Sequence, residues 1–347
     1  MKRVLPLLMT VVLAFAGLAG CSADKAQASN TEGASETTEN TSEQINIVTT
    51  IFPTYDWVNV ILGDKKADAN VTMLLDNGVD LHSYQPTAED ISKIASCDMF
   101  IYVGGESDEW VEDVLAQATN KDMKVINLLE VLGDSVKAEE IVEGMQGEDE
   151  HEDGEDEGHD HDHEDEEEEE FDEHVWLSLR NAQILCAAIA EALEAIDADN
   201  ASAYQANLEG YEKELQTLDA EYKAMVADAS KDTVLFADRF PFRYLVDDYD
   251  LTYYAAFVGC SAESEASFET VVFLAEKVDE LNLPAILIID NSDGKIAETV
   301  RDNTAAKDAQ ILTIDSLQST TSAQYASGRT YLSAMKENLD NLKIALN

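Results

Sequence analysis

The histidines are the residues best suited to metal chemistry in this sequence, and their distribution is uneven. Four of the six fall within one acidic stretch, and only His82 and His174 lie elsewhere. His82 precedes Ser83-Tyr84-Gln85-Pro86 and a predicted helix, and His174 stands directly before Val175-Trp176 and a long predicted helix. Taken singly, a histidine in such a place is more often structural. Neutral imidazole is nevertheless the commonest metal ligand, so both side chains are candidate ligands of a divalent ion.

A second set of candidate ligands lies in the acidic stretch itself. Residues 148–173 contain 19 acidic residues and no Lys or Arg. The run from Glu148 to Glu170 cannot build a core and is predicted to be a solvated loop. One interpretation is a solubilising insertion. We favour auxiliary metal capture, because imidazoles flanked by carboxylates chelate divalent ions weakly. The histidines concerned are His151, His159, His161 and His163.

The charge of the chain limits its partners. The 347 residues include 72 Asp and Glu against 22 Lys and Arg, a formal net charge of −50. Binding a polyanion requires a cationic surface, so nucleic acid and anionic lipid are poor partners. The hydrophobic fraction of 45% is ordinary for a globular protein. The length is sufficient for two domains.

The N-terminus is predicted to direct export and lipidation. Met1-Lys2-Arg3 is basic and the run that follows is apolar and uncharged, which is typical of a signal peptide. This run ends in Leu18-Ala19-Gly20-Cys21, similar to the bacterial lipobox, whose cysteine receives the lipid. We predict a signal peptide over 1–20, a lipidated Cys21 and a flexible tether over 21–44, which anchor an extracytoplasmic protein to the cell membrane. The alternative is an ordinary secretory signal with an incidental cysteine.

The elements that position the candidate ligands follow from the periodicity of the sequence. Short apolar runs alternate with amphipathic segments of helical period, which predicts βα units and parallel sheets. We predict an α/β fold of two Rossmann-like βα lobes over 45–176 and 231–347, the first carrying the His/acid-rich loop over 146–172. The predicted strands are Ile45 to Thr50, Val71 to Leu75, Met99 to Val103, Lys124 to Leu128, Thr233 to Phe236, Thr252 to Ala256, Ala285 to Asp290 and Gln310 to Ile314.

A long helical segment is predicted to join the lobes. Residues 177–230 are rich in Ala, Leu, Glu and Lys, and their only predicted break is Asp197 to Asn200. A helical connector holds lobes more stiffly than a Gly/Ser hinge, so we expect a modest closing motion. In βα folds ligands bind beyond the carboxyl ends of strands, which is where His82 and His174 are predicted to lie.

Three cysteines remain in the folded part, namely Cys97, Cys186 and Cys260. An odd number in an oxidising compartment leaves at least one thiol unpaired within the chain. No CxxC spacing indicates a metal cluster. We interpret all three as structural.

Two motifs separated by the His/acid-rich loop carry a resemblance to a known family. Gly78-Val79-Asp80-Leu81-His82-Ser83-Tyr84-Gln85-Pro86-Thr87 and Glu173-His174-Val175-Trp176-Leu177 resemble the zinc/manganese-type substrate-binding lipoproteins of bacterial ABC importers, the cluster A-I or family 9 solute-binding proteins. The resemblance covers residues 45–347. It implies two lobes bridged by a long helix, with one divalent metal in the cleft and two ligands from each lobe. His82 and His174 match the ligands of the first lobe.

The resemblance leaves the ligands of the second lobe less defined. The family's fourth ligand is commonly an Asp after the last strand, which Asp315 matches, although it could also be a cap or turn residue. The third ligand is usually a His or Glu after the first strand of the second lobe, and the segment Leu235 to Tyr244 of this sequence contains neither. We predict that Asp238 takes the place of this third ligand. Depending on where a gap is placed, the family's usual ligand aligns with Ala237 or Arg239. Alternatively, Arg239 forms an ion pair with Asp238. Further oxygen donors are Asp290, Glu263 and Glu265.

The expected function is metal capture. Two imidazoles with one or two carboxylates suit Zn²⁺ or Mn²⁺, and His-rich loops accompany zinc in the family that the sequence resembles, so we expect Zn²⁺ with Mn²⁺ as the alternative. The resemblance implies a monomeric receptor that delivers the metal to an ABC permease and its ATPase. A metal-binding adhesin or buffer without a transport role is a second reading. We expect no enzyme activity, since the sequence has neither an HExxH helix nor a GxSxG elbow.

Overall fold

The structure is a computed structural model that describes residues 44–146, 170–261 and 265–347. Several predictions made above lie outside the described residues: the signal peptide, the lipidation of Cys21, the tether up to residue 43 and the donor Glu263. The same holds for the loop histidines His151, His159, His161 and His163.

The first lobe is built on a four-stranded sheet in which every strand pair is parallel, in the order β2-β1-β3-β4. Its elements are β1 (Ile45–Thr49), α1 (Phe52–Leu62), β2 (Ala69–Met73), α2 (Ala88–Ser96), β3 (Met99–Tyr102), α3 (Trp110–Ala116), β4 (Lys124–Asn127) and α4 (Leu128–Leu132). The predicted strands are confirmed, although β2 begins two residues earlier than expected and ends at Met73. Thr87 and Asp90 form a capping box at the start of α2.

The second lobe repeats this topology with the strand order β6-β5-β7-β8, again all parallel. Its elements are β5 (Thr233–Phe240), α7 (Arg243–Asp248), β6 (Thr252–Val258), α8 (Phe268–Leu281), β7 (Ala285–Ile289), α9 (Lys295–Asn303), β8 (Gln310–Ile314), α10 (Ser322–Ala326) and α11 (Tyr331–Ala345). Strand β5 runs four residues beyond the predicted end, because an irregularity between Phe236 and Arg239 shifts the register and pairing then resumes.

The helical connector is also confirmed. It consists of α5 (Leu179–Ile196), a 3-10 turn at Ala198–Asn200 and α6 (Ala201–Asp228), so the break falls where the sequence predicted it. Helix α6 bonds to both lobes. Near its start Asn207 Nδ2 donates to the Ile61 carbonyl at 2.8 Å, and near its end the Tyr222 hydroxyl donates to the Met335 carbonyl at 2.6 Å.

Buried hydrogen bonds also join the two lobes directly. The indole nitrogen of Trp176 donates to the Ser316 carbonyl at 2.9 Å, and the Tyr331 hydroxyl donates to the Trp176 carbonyl at 2.7 Å. Trp176 and Tyr331 are fully buried. These bonds reinforce the helical connector, in keeping with the expected modest closing motion. Among the helices of the described residues, none has the length and apolar character needed to cross a membrane.

Candidate metal centre

His82 and His174 are brought together at the first lobe's edge of the cleft. His82 lies in a 3-10 turn (Leu81–Ser83) after β2, where the Asp80 side chain caps the turn by accepting from the His82 backbone N–H at 3.1 Å. His174 directly precedes the 3-10 turn Val175–Leu177 and is fully buried. The two Nε2 atoms are 3.2 Å apart. Two nitrogens bound to one tetrahedral zinc ion at about 2.0–2.1 Å lie about 3.3 Å from each other, so this separation suits a shared metal.

Neighbouring polar groups fix the orientation of both rings. Asp172 Oδ1 lies 3.1 Å from His174 Nδ1 and also accepts from the His174 backbone N–H at 2.8 Å. His82 Nδ1 is 2.7 Å from the Ser107 hydroxyl and 3.6 Å from Glu173 Oε2. Metal-binding histidines usually hold a carboxylate or another acceptor with the ring nitrogen that does not bind the metal. Both rings are thus arranged to bind a metal through Nε2.

The imidazole rings of His82 and His174 differ in pKa. Burial and the neighbouring His174 lower the pKa of His82 to about 3, so its ring is neutral at physiological pH. Burial also opposes a charge on His174, but the Asp172 carboxylate, with help from Glu173 and Asp80, raises its pKa above the usual value. A metal ion arriving at the site therefore competes with a proton chiefly at His174.

Cys260, which the sequence analysis interpreted as structural, is the third member of this cluster. A ring nitrogen of each histidine and the sulfur of Cys260 all lie within 4.8 Å of one another. Cys260 follows β6, at the carboxyl edge of the second sheet. Its sequence position after a predicted strand was the available signal, the same one that identified His82. The thiol is free, as are those of Cys97 and Cys186.

Acidic side chains surround the accessible side of the cluster. A cavity of about 270 Å³ opens onto it, lined by His82, Glu106, Ser107, Glu139, Glu170, Phe171, Glu173 and Cys260. Glu139 accepts from the Cys260 backbone N–H at 3.2 Å and also from its thiol, and burial raises the pKa of both side chains. Carboxylates that line a cavity favour a divalent cation over an anion inside it.

The structure does not bring Asp238 to the histidines. Its carboxylate accepts from the backbone N–H of Arg239 at 2.9 Å and of Ile289 at 3.4 Å. It lines a separate cavity of about 450 Å³ with Asp290 and Asp293. These backbone donors hold the carboxylate within its own lobe, so the structure does not place the predicted third ligand in the cluster with the histidines.

Arg239 joins the two lobes. Its guanidinium binds Asp80 at 2.8 Å and the Ser261 carbonyl at 3.3 Å, so its ion-pair partner is Asp80 and not Asp238. Asp80 precedes His82 by two residues and Ser261 follows Cys260. The ion pair therefore links the two segments that carry the cluster, and it holds the pKa of Asp80 below its usual range despite burial.

Asp315 and the further oxygen donors are occupied elsewhere. Asp315 accepts from the Leu317 backbone N–H at 2.7 Å and forms an ion pair with Arg329. This is the turn role left open in the sequence. Asp290 accepts from the backbone N–H and the hydroxyl of Ser316, both at 2.7 Å, and Glu265 is exposed. Among the described residues, neither Asp238 nor Asp315 belongs to a group of three clustered metal-binding side chains.

Comparison with known proteins places this chain in a family. The sequence matches the family described as ZnuA, the periplasmic component A of the zinc-uptake complex, over residues 47–345. The chain belongs to the ZnuA family. It is 30% identical over 304 residues to the high-affinity zinc uptake system protein ZnuA of Bacillus subtilis, with 88% of each chain covered. It is 31% identical over 302 residues to the zinc-binding lipoprotein AdcA of Streptococcus pneumoniae, covering 86% of this chain but 55% of that relative.

Solved structures of ZnuA-type proteins share the fold. The zinc-bound ZnuA-like domain of Streptococcus pneumoniae AdcA superposes with a TM-score of 0.66 at 27% identity, covering 87% of this chain and 99% of that domain. The metal-dependent lipoprotein YcdH of Bacillus subtilis gives 0.68 at 25% identity, covering 88% and 100%. The chain spans about half the length of the streptococcal AdcA relatives. The resemblance inferred from the two histidine motifs and the predicted two-lobed α/β fold are both confirmed.

Proposed function

We propose that this member of the ZnuA family captures Zn²⁺ outside the cytoplasm and delivers it to an ABC permease and its ATPase. The observation that carries the proposal is the pair of Nε2 atoms 3.2 Å apart beside an acidic cavity. Such a site binds its cargo without reacting with it. The names of the relatives, a zinc uptake protein and a zinc-binding lipoprotein, support zinc as that cargo.

The proposal extends to the organisation of the chain. Residues 1–20 are the signal peptide, Cys21 carries the lipid, and residues 21–44 tether the folded body to the membrane. The lobes over 45–176 and 231–347, with the helical segment over 177–230, act as a monomeric receptor. The name of the pneumococcal relative, which is called a lipoprotein, supports the anchor. Loading and release then require only a small relative movement of the lobes.

The test is the zinc content and competitive zinc affinity of the purified protein and of the His82→Ala and His174→Ala variants. We expect one tightly bound zinc per chain, and a loss of affinity of about 100-fold or more in each variant, because each removes a ligand whose supporting shell alone contributes about 10- to 100-fold.

Asp238→Asn and Asp315→Asn are the controls, since both carboxylates bond within the second lobe. These two variants should keep the affinity of the unmodified protein. Loss of tight binding in them, or tight binding that survives in both histidine variants, would contradict the proposed site. Circular dichroism of every variant establishes that the fold is retained.

A further inference from the structure

The second lobe of this chain offers the cavity a thiol. Its Asp238 and Asp315 bond to other groups, and Arg239 binds Asp80. Cys260 alone among the described side chains of that lobe forms a cluster of three potential ligands with His82 and His174. Resting on the proposed function, we propose that Cys260 is the third protein ligand of the captured metal, and that its sulfur makes the site select zinc over manganese.

The backbone around Cys260 is shaped for this contact. A Cβ atom at Gly259 would lie 3.0 Å from His174 Cε1 and 3.0 Å from the Phe240 carbonyl oxygen, closer than nine in ten such contacts. Only a glycine allows the end of β6 to approach the imidazole this closely without a shift. The close approach of Gly259 thereby brings the next residue, Cys260, near the imidazole of His174.

The groups around Cys260 also suit a thiolate that binds a metal ion. Glu139 accepts hydrogen bonds from the backbone N–H and from the thiol of Cys260. The buried Glu173 lines the same cavity and has one oxygen, Oε2, without a hydrogen-bond partner among the described residues. Zinc binding deprotonates a thiol outright, so the ion and the thiolate together add one net positive charge. The carboxylates of Glu139 and Glu173 are close enough to balance that charge.

The donor set has a consequence for the choice of metal. Thiolate sulfur is a soft ligand that favours zinc, whereas carboxylate and water suit manganese. Two imidazoles and one thiolate occupy three positions of a tetrahedral ion and leave one position toward the cavity. Replacing Cys260 by Asp keeps three ligands but hardens the set, so it should move the preference toward manganese.

The experiment uses the purified protein with reducing agent, Co²⁺ as a spectroscopic probe, and competitive titrations with Zn²⁺ and Mn²⁺. We expect the Co²⁺ form to show a thiolate-to-cobalt charge-transfer band in the near ultraviolet. Cys260→Ser should lose this band and about 100-fold or more in zinc affinity. Cys97→Ala, which removes a buried thiol in the first lobe, should keep both. Cys260→Asp should lower the zinc-to-manganese affinity ratio by on the order of tenfold.

The outcomes separate this inference from the proposed function. If the unmodified protein binds Co²⁺ tightly without a thiolate band, or Cys260→Ser keeps its zinc affinity while His82→Ala loses it, Cys260 is not a ligand and the receptor function stands. If the unmodified protein binds no zinc tightly, both proposals fail. The spectrum of the unmodified protein decides the question even if the serine variant does not fold.

Discussion

His174 is the candidate ligand at which a proton and a metal ion are expected to compete. Burial lowers its pKa, but the Asp172, Glu173 and Asp80 carboxylates together outweigh burial and hold the pKa above the usual 6.5, whereas that of His82 lies at about 3. Metal binding requires neutral rings. As the pH falls through the pKa of His174, its protonated form accumulates and zinc affinity must fall, while His82 contributes nothing to this dependence.

Zinc affinity measured by chelator competition from about pH 8 to about pH 5.5 checks this expectation. If Cys260 is also a ligand, zinc binding displaces its thiol proton at every pH in this range. Lowering the pH should then reduce zinc affinity about tenfold per pH unit above the pKa of His174, and more steeply below that pKa. Asp172→Asn removes the first of the carboxylates that raise this pKa, the one that contacts His174 Nδ1. It should shift the steeper region to lower pH and reduce the maximal affinity by about 10- to 100-fold. The exposed Asp113→Asn is the control. An unchanged profile in Asp172→Asn would contradict the assigned role of Asp172.

At the scale of elements, the parts that depend on local sequence could be predicted. The capping box at Thr87 and the break after α5 use residues close together in the chain, so their physics is visible in the sequence. The proximity of Cys260 to the two histidines could not be predicted, because it depends on how the two lobes pack. Asp238 was favoured because the sequence does not show that the backbone N–H groups of Arg239 and of Ile289 in β7 bind its carboxylate.

The contact between α1 and α11 contains a buried charge whose effect on stability can be measured. Asp56 is 1% exposed, and its Oδ2 accepts from the Tyr331 backbone N–H at 2.9 Å. Burial raises its pKa to about 6 from 3.8. Because the folded protein holds this proton more tightly than the unfolded chain, the stabilising contribution is complete below about pH 4 and is lost as the pH rises through about 6.

Asp56→Asn should therefore stabilise the protein at neutral pH. The amide keeps the acceptor for Tyr331 and removes the buried charge, which is worth about 1–3 kcal/mol for a shift of this size. The melting temperature should rise by a few degrees at about pH 7.5 and by less at about pH 4.5. Asp113→Asn again serves as the exposed control. A lower melting temperature for Asp56→Asn at both pH values would show that the carboxylate itself is required.

At the scale of the whole molecule, the ion pair between Arg239 and Asp80 is expected to control how fast the cleft releases metal. Both side chains are 22% exposed, so the pair is partly shielded from solvent. Pairs of this kind contribute up to about 1 kcal/mol. Arg239→Gln should accelerate zinc dissociation by about threefold to tenfold, measured by mixing loaded protein rapidly with a chelator.

Arg301→Gln is the matched control, because Arg301 contacts Asp302 within α9 and joins no lobes. The difference between the Arg239 variant and the unmodified protein should shrink at high salt, which screens charges. Equal dissociation rates at low salt would show that the pair does not hold the cleft closed.

Trp176 has a consequence for how the protein can be observed. Its buried ring lies 5.2 Å from that of His174, and its indole nitrogen bonds the Ser316 carbonyl of the other lobe. Trp110 donates to the carbonyl of Ser107, whose hydroxyl contacts His82. Two of the three tryptophans are thus coupled to the site. The protein carries its own optical reporter, and its intrinsic fluorescence can follow loading and unloading in real time without any label.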